Sequence, residues 1–138
     1  QAVQANGLAK LYEIAPCTLA ELVARVKERM GMQALRVSAP KGMGALVHRV
    51  GLPWGGLGLF VNVGYQQRLI EMGADVFIAG ESDDYGFRFA AECGIPMIET
   101  AHDLSENPGL RHFAEMLRGR FPEAEVAFYE NAPAWRTE

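Results

Sequence analysis

From Leu46 onward, short apolar runs alternate with helical patterns, and this alternation limits the fold more than any other feature of the chain. Leu46–Leu52 reads as a strand, Phe60–Met72 as a helix ended by Gly73, and Val76–Ala79 as a strand. Asp83–Cys93 reads as a helix stopped at Gly94, and Pro96–Thr100 as a strand. Asn107 and Pro108 have the character of an N-cap and first helical residue, ahead of one apolar face formed by Leu110, Phe113, Ala114 and Leu117. Glu125–Tyr129 reads as a last strand before a frayed tail over 130–138. Parallel neighbours need a long crossover, so this order implies helices packed on a largely parallel or mixed sheet. Val76–Ala79 lacks polar alternation, as expected of a strand covered on both faces.

The first part adds a strand–helix–strand unit. Leu8–Ile14 alternates well enough for a strand, and Pro16 breaks it. Thr18 and Glu21 have the spacing of a capping box, in which each side chain satisfies a backbone donor left orphan at the helix start. Leu19, Leu22, Val23, Val26 and Met30 form a stripe at helical spacing, with Arg25, Lys27 and Arg29 late in the helix and Gly31 ending it. Ala34–Ser38 reads as a strand and Ala39–Gly44 as a loop. There is no internal repeat and no low-complexity linker, so the expectation is one α/β domain over 1–138.

Composition agrees and removes some functions. A chain of 138 residues with 49% apolar content can bury one sizeable core. A formal charge of −4 argues against broad nucleic-acid or membrane-surface binding, since both need a basic face. No run is long and apolar enough to span a bilayer, and no signal peptide is visible. Cys17 and Cys93 sit in no metal or redox spacing and read as reduced thiols of a cytoplasmic protein. The chain opens on Gln1 rather than Met, which suggests processing or a piece of a longer protein.

Function in α/β proteins collects where strands end and helices begin. His102 and Glu106 lie at such a place, and imidazole with carboxylate suits zinc, iron, manganese or nickel. Two ligands do not hold a catalytic ion. Asp103 and Glu99 are near, but strand neighbours point to opposite faces. On the residues alone, a loop that opens a helix explains the pair better: Glu106 favours the positive helix end and His102 is a loop residue. The glycine-rich turn Trp54–Gly58, with Gly55 and Gly56, could cradle an anion at a helix start. It lacks the Walker and dinucleotide spacings, and a tight turn needing positive φ explains it better. Glu81, at a strand's carboxyl end, is the better functional candidate of its acidic loop, whereas Asp83 reads as a helix cap. His48 reads as a satisfied sheet histidine and His112 as surface. No nucleophile elbow, Cys–His dyad or HExxH helix is present.

Taken in order, these segments resemble the C-terminal part of the NGG-interacting-factor-like dinuclear-metal proteins, often labelled GTP cyclohydrolase type-two homologues. The likeness is carried by the glycine turn and helix (Gly55–Met72), GADVFIAGE (Gly73–Glu81), AAECGIPMIETAH (Ala90–His102), HDLSE (His102–Glu106) and GLRHFAEMLRGRF (Gly109–Phe121). It implies that His102 and Glu106 help bind a pair of divalent metal ions inside a toroidal hexamer; Glu81, Gly55 and Gly56 stay candidates, from their own positions, for touching a ligand or supporting the metal residues. It also implies a small-molecule or nucleotide substrate. The chain departs from the family pattern in three ways. The family's His-His pair and Asp ligand, carried by its N-terminal half, have no counterpart here. Ala101 stands where many members have Gly, and Asp84 and Tyr85 occupy a loop where many have His.

Two functions follow as expectations. One is a metal-binding α/β domain, the C-terminal half of a dinuclear-metal hydrolase-like protein, inactive as this chain alone. The other is a non-catalytic interaction or assembly module that keeps the fold without a complete site.

Overall fold

The computed structural model describes residues 2–53 and 62–130. Along the chain these form β1 (Gln4–Asn6), β2 (Ala9–Thr18), α1 (Leu19–Met30), β3 (Arg36–Ser38), β4 (Leu46–Leu52), α2 (Asn62–Glu71), β5 (Val76–Ala79), α3 (Asp84–Glu92), β6 (Met97–Glu99) and α4 (His102–Arg120). The glycine turn with Gly55 and Gly56 lies outside the described residues.

The strands form one six-stranded mixed sheet in the order β1-β2-β4-β5-β6-β3. The centre, β4-β5-β6, is parallel, as the alternation of strands and helices requires. Antiparallel partners flank it: β1 and β2 on one side, β3 on the other. The expected α/β architecture is therefore present, with the parallel character confined to the middle.

Adjacent residues of the central strands serve two cores. Phe77 and Met97 face Leu69 of α2, Met72 just after it, and Ala90 of α3. Val76 and Ile98 face Leu19 and Leu22 of α1. Successive side chains on a strand point to opposite faces, so β5, covered on both, is apolar throughout. Phe77 is fully buried, and its truncation to Ala would cost about 3–5 kcal/mol. Glycine is required at Gly86 in α3, where an added Cβ would collide with the Ser82 hydroxyl and stand 2.9 Å from the Gln66 amide.

The caps of α1 form as the sequence predicts. The Thr18 hydroxyl accepts from the Glu21 N–H at 3.2 Å, and the Glu21 carboxylate accepts from the Thr18 N–H at 2.7 Å. Gly31 closes the helix at φ 64°. Asp83 caps α3, accepting from the Gly86 N–H at 2.8 Å.

Three expectations fail. β2 does not end at Pro16. Its pairing with β4 shifts between Glu13↔Arg49 and Cys17↔Val47, so residues 14–16 bulge opposite His48 and a residue without an N–H is accommodated there. The strand expected over Glu125–Tyr129 does not form. That segment runs beside α4 instead: Arg118 Nε donates to the Val126 carbonyl at 2.9 Å, and Arg111 meets Glu130 and the Phe128 ring. Nor does the last helix begin at Asn107. It starts at His102, and Pro108 lies inside it. Ser105 holds the early start, its N–H donating to the Ala101 carbonyl at 3.1 Å and its hydroxyl to the His102 carbonyl at 2.7 Å.

Among the described residues, no helix is long and apolar enough to cross a membrane.

Candidate metal centre

The parallel strands β5 and β6 end side by side, Ala79 opposite Glu99. The loop after β5 carries Glu81, and the turn after β6 delivers His102 as the first residue of α4. Thr100 pins that turn, its N–H and hydroxyl both directed at the Ala79 carbonyl, at 2.9 and 3.1 Å. His102 therefore stands between two carboxylates. Its Nδ1 is 2.9 Å from Glu81 Oε2, and its Nε2 is 3.2 Å from Glu106 Oε1, one helical turn further on.

The hydrogen bond to Glu81 holds the His102 imidazole above its ordinary pKa; burial opposes it, and the negative fields of Glu106, Glu81 and Asp103 add to it. Without a metal, the protonated form is favoured more than in a free imidazole. The His102 side chain is 42% exposed and both carboxylates are about as open, so the arrangement contributes at most about 1 kcal/mol to stability.

The backbone at this turn is unusual. Ala101 has φ 65° and ψ 152°, a region that glycine alone enters without strain.

Beside His102 lies a cleft of about 400 Å³ whose polar lining includes Arg36, Glu81, Glu99 and Asp103. Glu99 closes its floor. Burial raises its pKa, against the Arg36 charge and the Ser82 N–H, which favour the ionised form. Arg36, opposite Glu99 in the β3–β6 pairing, approaches Glu99 Oε2 at 3.0 Å. The approach is an ion pair by distance but not aligned as a hydrogen bond, so that oxygen is buried without an aligned donor. Arg36 also lies 4.7 Å over the Phe87 ring. Sequence reasoning singled out neither Arg36 nor this role for Glu99; the available signal was a carboxylate closing an otherwise apolar central strand.

The other histidines are as expected. His48 Nδ1 meets Asp75 at 3.2 Å, and His112 is a surface residue 3.9 Å from Glu115. Asp83 is occupied as a cap. Among the described residues, no three His, Cys, Asp or Glu side chains converge on one metal position. Glu81 and Glu106 hold opposite ring nitrogens and cannot chelate the same ion.

Comparison with known proteins puts this arrangement in context. The chain is 31% identical over 109 residues to the protein NIF3 homolog of Schizosaccharomyces pombe, a match covering 78% of this chain and 36% of that protein. Its fold is similar to the crystal structure of Staphylococcus aureus protein SA1388, with TM-score 0.77 and 20% identity, covering 96% of this chain and 42% of that one. A Bacillus cereus protein related to NIF3 gives TM-score 0.70 at 20% identity, over 96% of this chain and 35% of its own. The chain thus spans well under half the length of these relatives. The family model described as Duf34/NIF3 (NGG1p interacting factor 3) matches residues 2–134, almost the whole sequence, and the chain belongs to that family.

Proposed function

We propose that this chain is a metal-binding α/β domain that contributes His102 and Glu106 to a divalent-metal site completed by donors outside it, within a hydrolase-like protein. The observation that carries the reading is the 3.2 Å separation of His102 Nε2 and Glu106 Oε1. Two donors about 2.1 Å from a single cation, at or slightly above a right angle, lie about 3.0–3.2 Å apart. The donor set fits as well, because imidazole with carboxylate suits zinc, iron, manganese or nickel. The Glu81 carboxylate accepts a hydrogen bond from Nδ1–H, which fixes the tautomer and leaves the Nε2 lone pair for the ion. A bound divalent ion would act there as a Lewis acid and as a source of activated water. Arg36 and Glu99 line the adjoining cleft and would orient a small-molecule or nucleotide substrate. Assembly as a homo-oligomer, a hexamer in the resembled family, and a cytoplasmic location consistent with the free thiols Cys17 and Cys93 belong to the same proposal.

Calorimetric titration with zinc or manganese tests this. Weak binding is expected for the chain alone, since two ligands leave most of the coordination shell to water. His102→Ala should abolish the binding while changing unfolding free energy by less than about 1 kcal/mol. Tight stoichiometric zinc would overturn the incomplete site, and a stability loss above about 2 kcal/mol would make His102 a structural residue.

One observation favours the second reading, an interaction or assembly module. Leu110, Phe113 and Met116 of α4 are more than half exposed, and within that helix only Asn107 and Ala114 are buried. Light scattering of Phe113→Glu against the parent chain would show whether that face holds subunits together.

A further inference from the structure

The sheet is covered unequally. Five gaps of about 4.8 Å make it about 24 Å wide, whereas a helix with its side chains covers about 10 Å. α2 and α3 share one face. On the other face Leu19 and Leu22 of α1 share a core with Cys17 of β2, Val47 and Val50 of β4, Val76 of β5 and Ile98 of β6. Alongside α1, between it and the strands β2, β4 and β5, an open groove of about 640 Å³ remains. That is the size of a small-molecule site rather than of a packing defect.

The groove has a definite chemistry. Its floor is apolar, formed by Tyr12, Ile14, Val50 and Ile78, with Val26 of α1 as a wall. Its charged lining is mostly basic: Arg25 and Arg29 from α1, and Lys10 from β2. Among the described residues neither Lys10 nor Arg29 forms an ion pair, and Arg25 has only the field of Glu21. Unpaired cations gathered in one cleft stand out in a chain whose net charge is −4. Gathered cations repel one another and attract an anion, while the floor selects an apolar body. We propose that this groove is a binding site for an amphipathic organic anion, a flat apolar body carrying a phosphate or carboxylate headgroup. Ser105 and Glu106 line the same groove, so a molecule seated there lies against the carboxylate of the proposed metal pair. The site itself needs no cation at His102.

Fluorescence titration tests it with 1-anilinonaphthalene-8-sulfonate, an aromatic anion, and N-phenyl-1-naphthylamine, its uncharged relative. Titrations use both this chain and the longest form that contains it. Saturable one-to-one binding of the sulfonate is expected, at least about tenfold tighter than the neutral probe. Added salt should weaken the sulfonate and not the amine. Arg25→Gln with Arg29→Gln should cost the sulfonate about tenfold or more and leave the amine nearly unchanged. Val26→Trp, which fills the groove, should remove both. Phenyl phosphate or benzoate should displace the sulfonate, and the stronger competitor identifies the headgroup. Equal affinity for both probes, no effect of salt or of the arginine changes, displacement by neither competitor, or loss of binding in the longer form would each overturn the proposal. Failure of the metal reading is distinguishable, because His102→Ala removes zinc binding and leaves the sulfonate titration unchanged.

Discussion

His48 and His102 each place an imidazole nitrogen about 3 Å from a carboxylate, yet the two regions are built for different ends. Asp75, the partner of His48, is taken up by the main chain. Its carboxylate accepts from the His48 N–H at 3.1 Å and from the Arg49 N–H at 2.9 Å, where β4 faces the bulge in β2. Glu81 and Glu106 accept no backbone hydrogen bond among the described residues; their oxygens meet His102 and solvent. A carboxylate engaged by backbone donors is part of the fold. A carboxylate that meets only another exposed ionisable side chain adds little to the fold.

The largest expected effect breaks the first region. Asp75→Ala should cost about 1–3 kcal/mol in urea unfolding, because part-buried backbone donors of His48 and Arg49 lose a charged acceptor, and it should leave metal affinity unchanged. A loss below about 1 kcal/mol would erase the contrast between the two histidines. In the second region, Glu81→Gln should weaken metal binding about tenfold through loss of the oriented tautomer, with little change in stability, as read by calorimetry. Ala101→Gly should stabilise the chain by about 1 kcal/mol in thermal unfolding, by relieving the positive-φ turn before His102. If it destabilises, the turn is not strained. The smallest effect concerns pH. The folded-state pKa of His102 is raised, so its contribution to metal-free stability is complete below the unfolded value and fades as pH rises through the folded one. The difference in melting temperature between the parent and His102→Ala should therefore shrink from about pH 6 to about pH 8. Metal binding should follow the opposite course and tighten, since the ion competes with a proton.

Features written in neighbouring residues were legible in the sequence. The Thr18–Glu21 box, the Asp83 cap and the bounds of β4 and β5 come from short-range hydrogen bonding and from apolar runs, and each is present. Features decided by distant partners were not. Asn107–Pro108 carries a strong local start signal, but Ser105 and the preceding turn begin the helix earlier. Glu125–Tyr129 alternates like a strand, but arginines of α4 engage it before any sheet edge does. His102 and Glu106 could be paired by spacing alone. The Glu81 contact could not, since it follows from Ala79 lying opposite Glu99, a pairing that only the assembled sheet determines.

That division of labour gives the imidazole two kinds of ruler. Its spacing to Glu106 is set by helical pitch and would persist in an isolated peptide for as long as that peptide stayed coiled. Its spacing to Glu81 exists only while α4 is seated against the end of β5, so this single separation gauges whether the helix is docked.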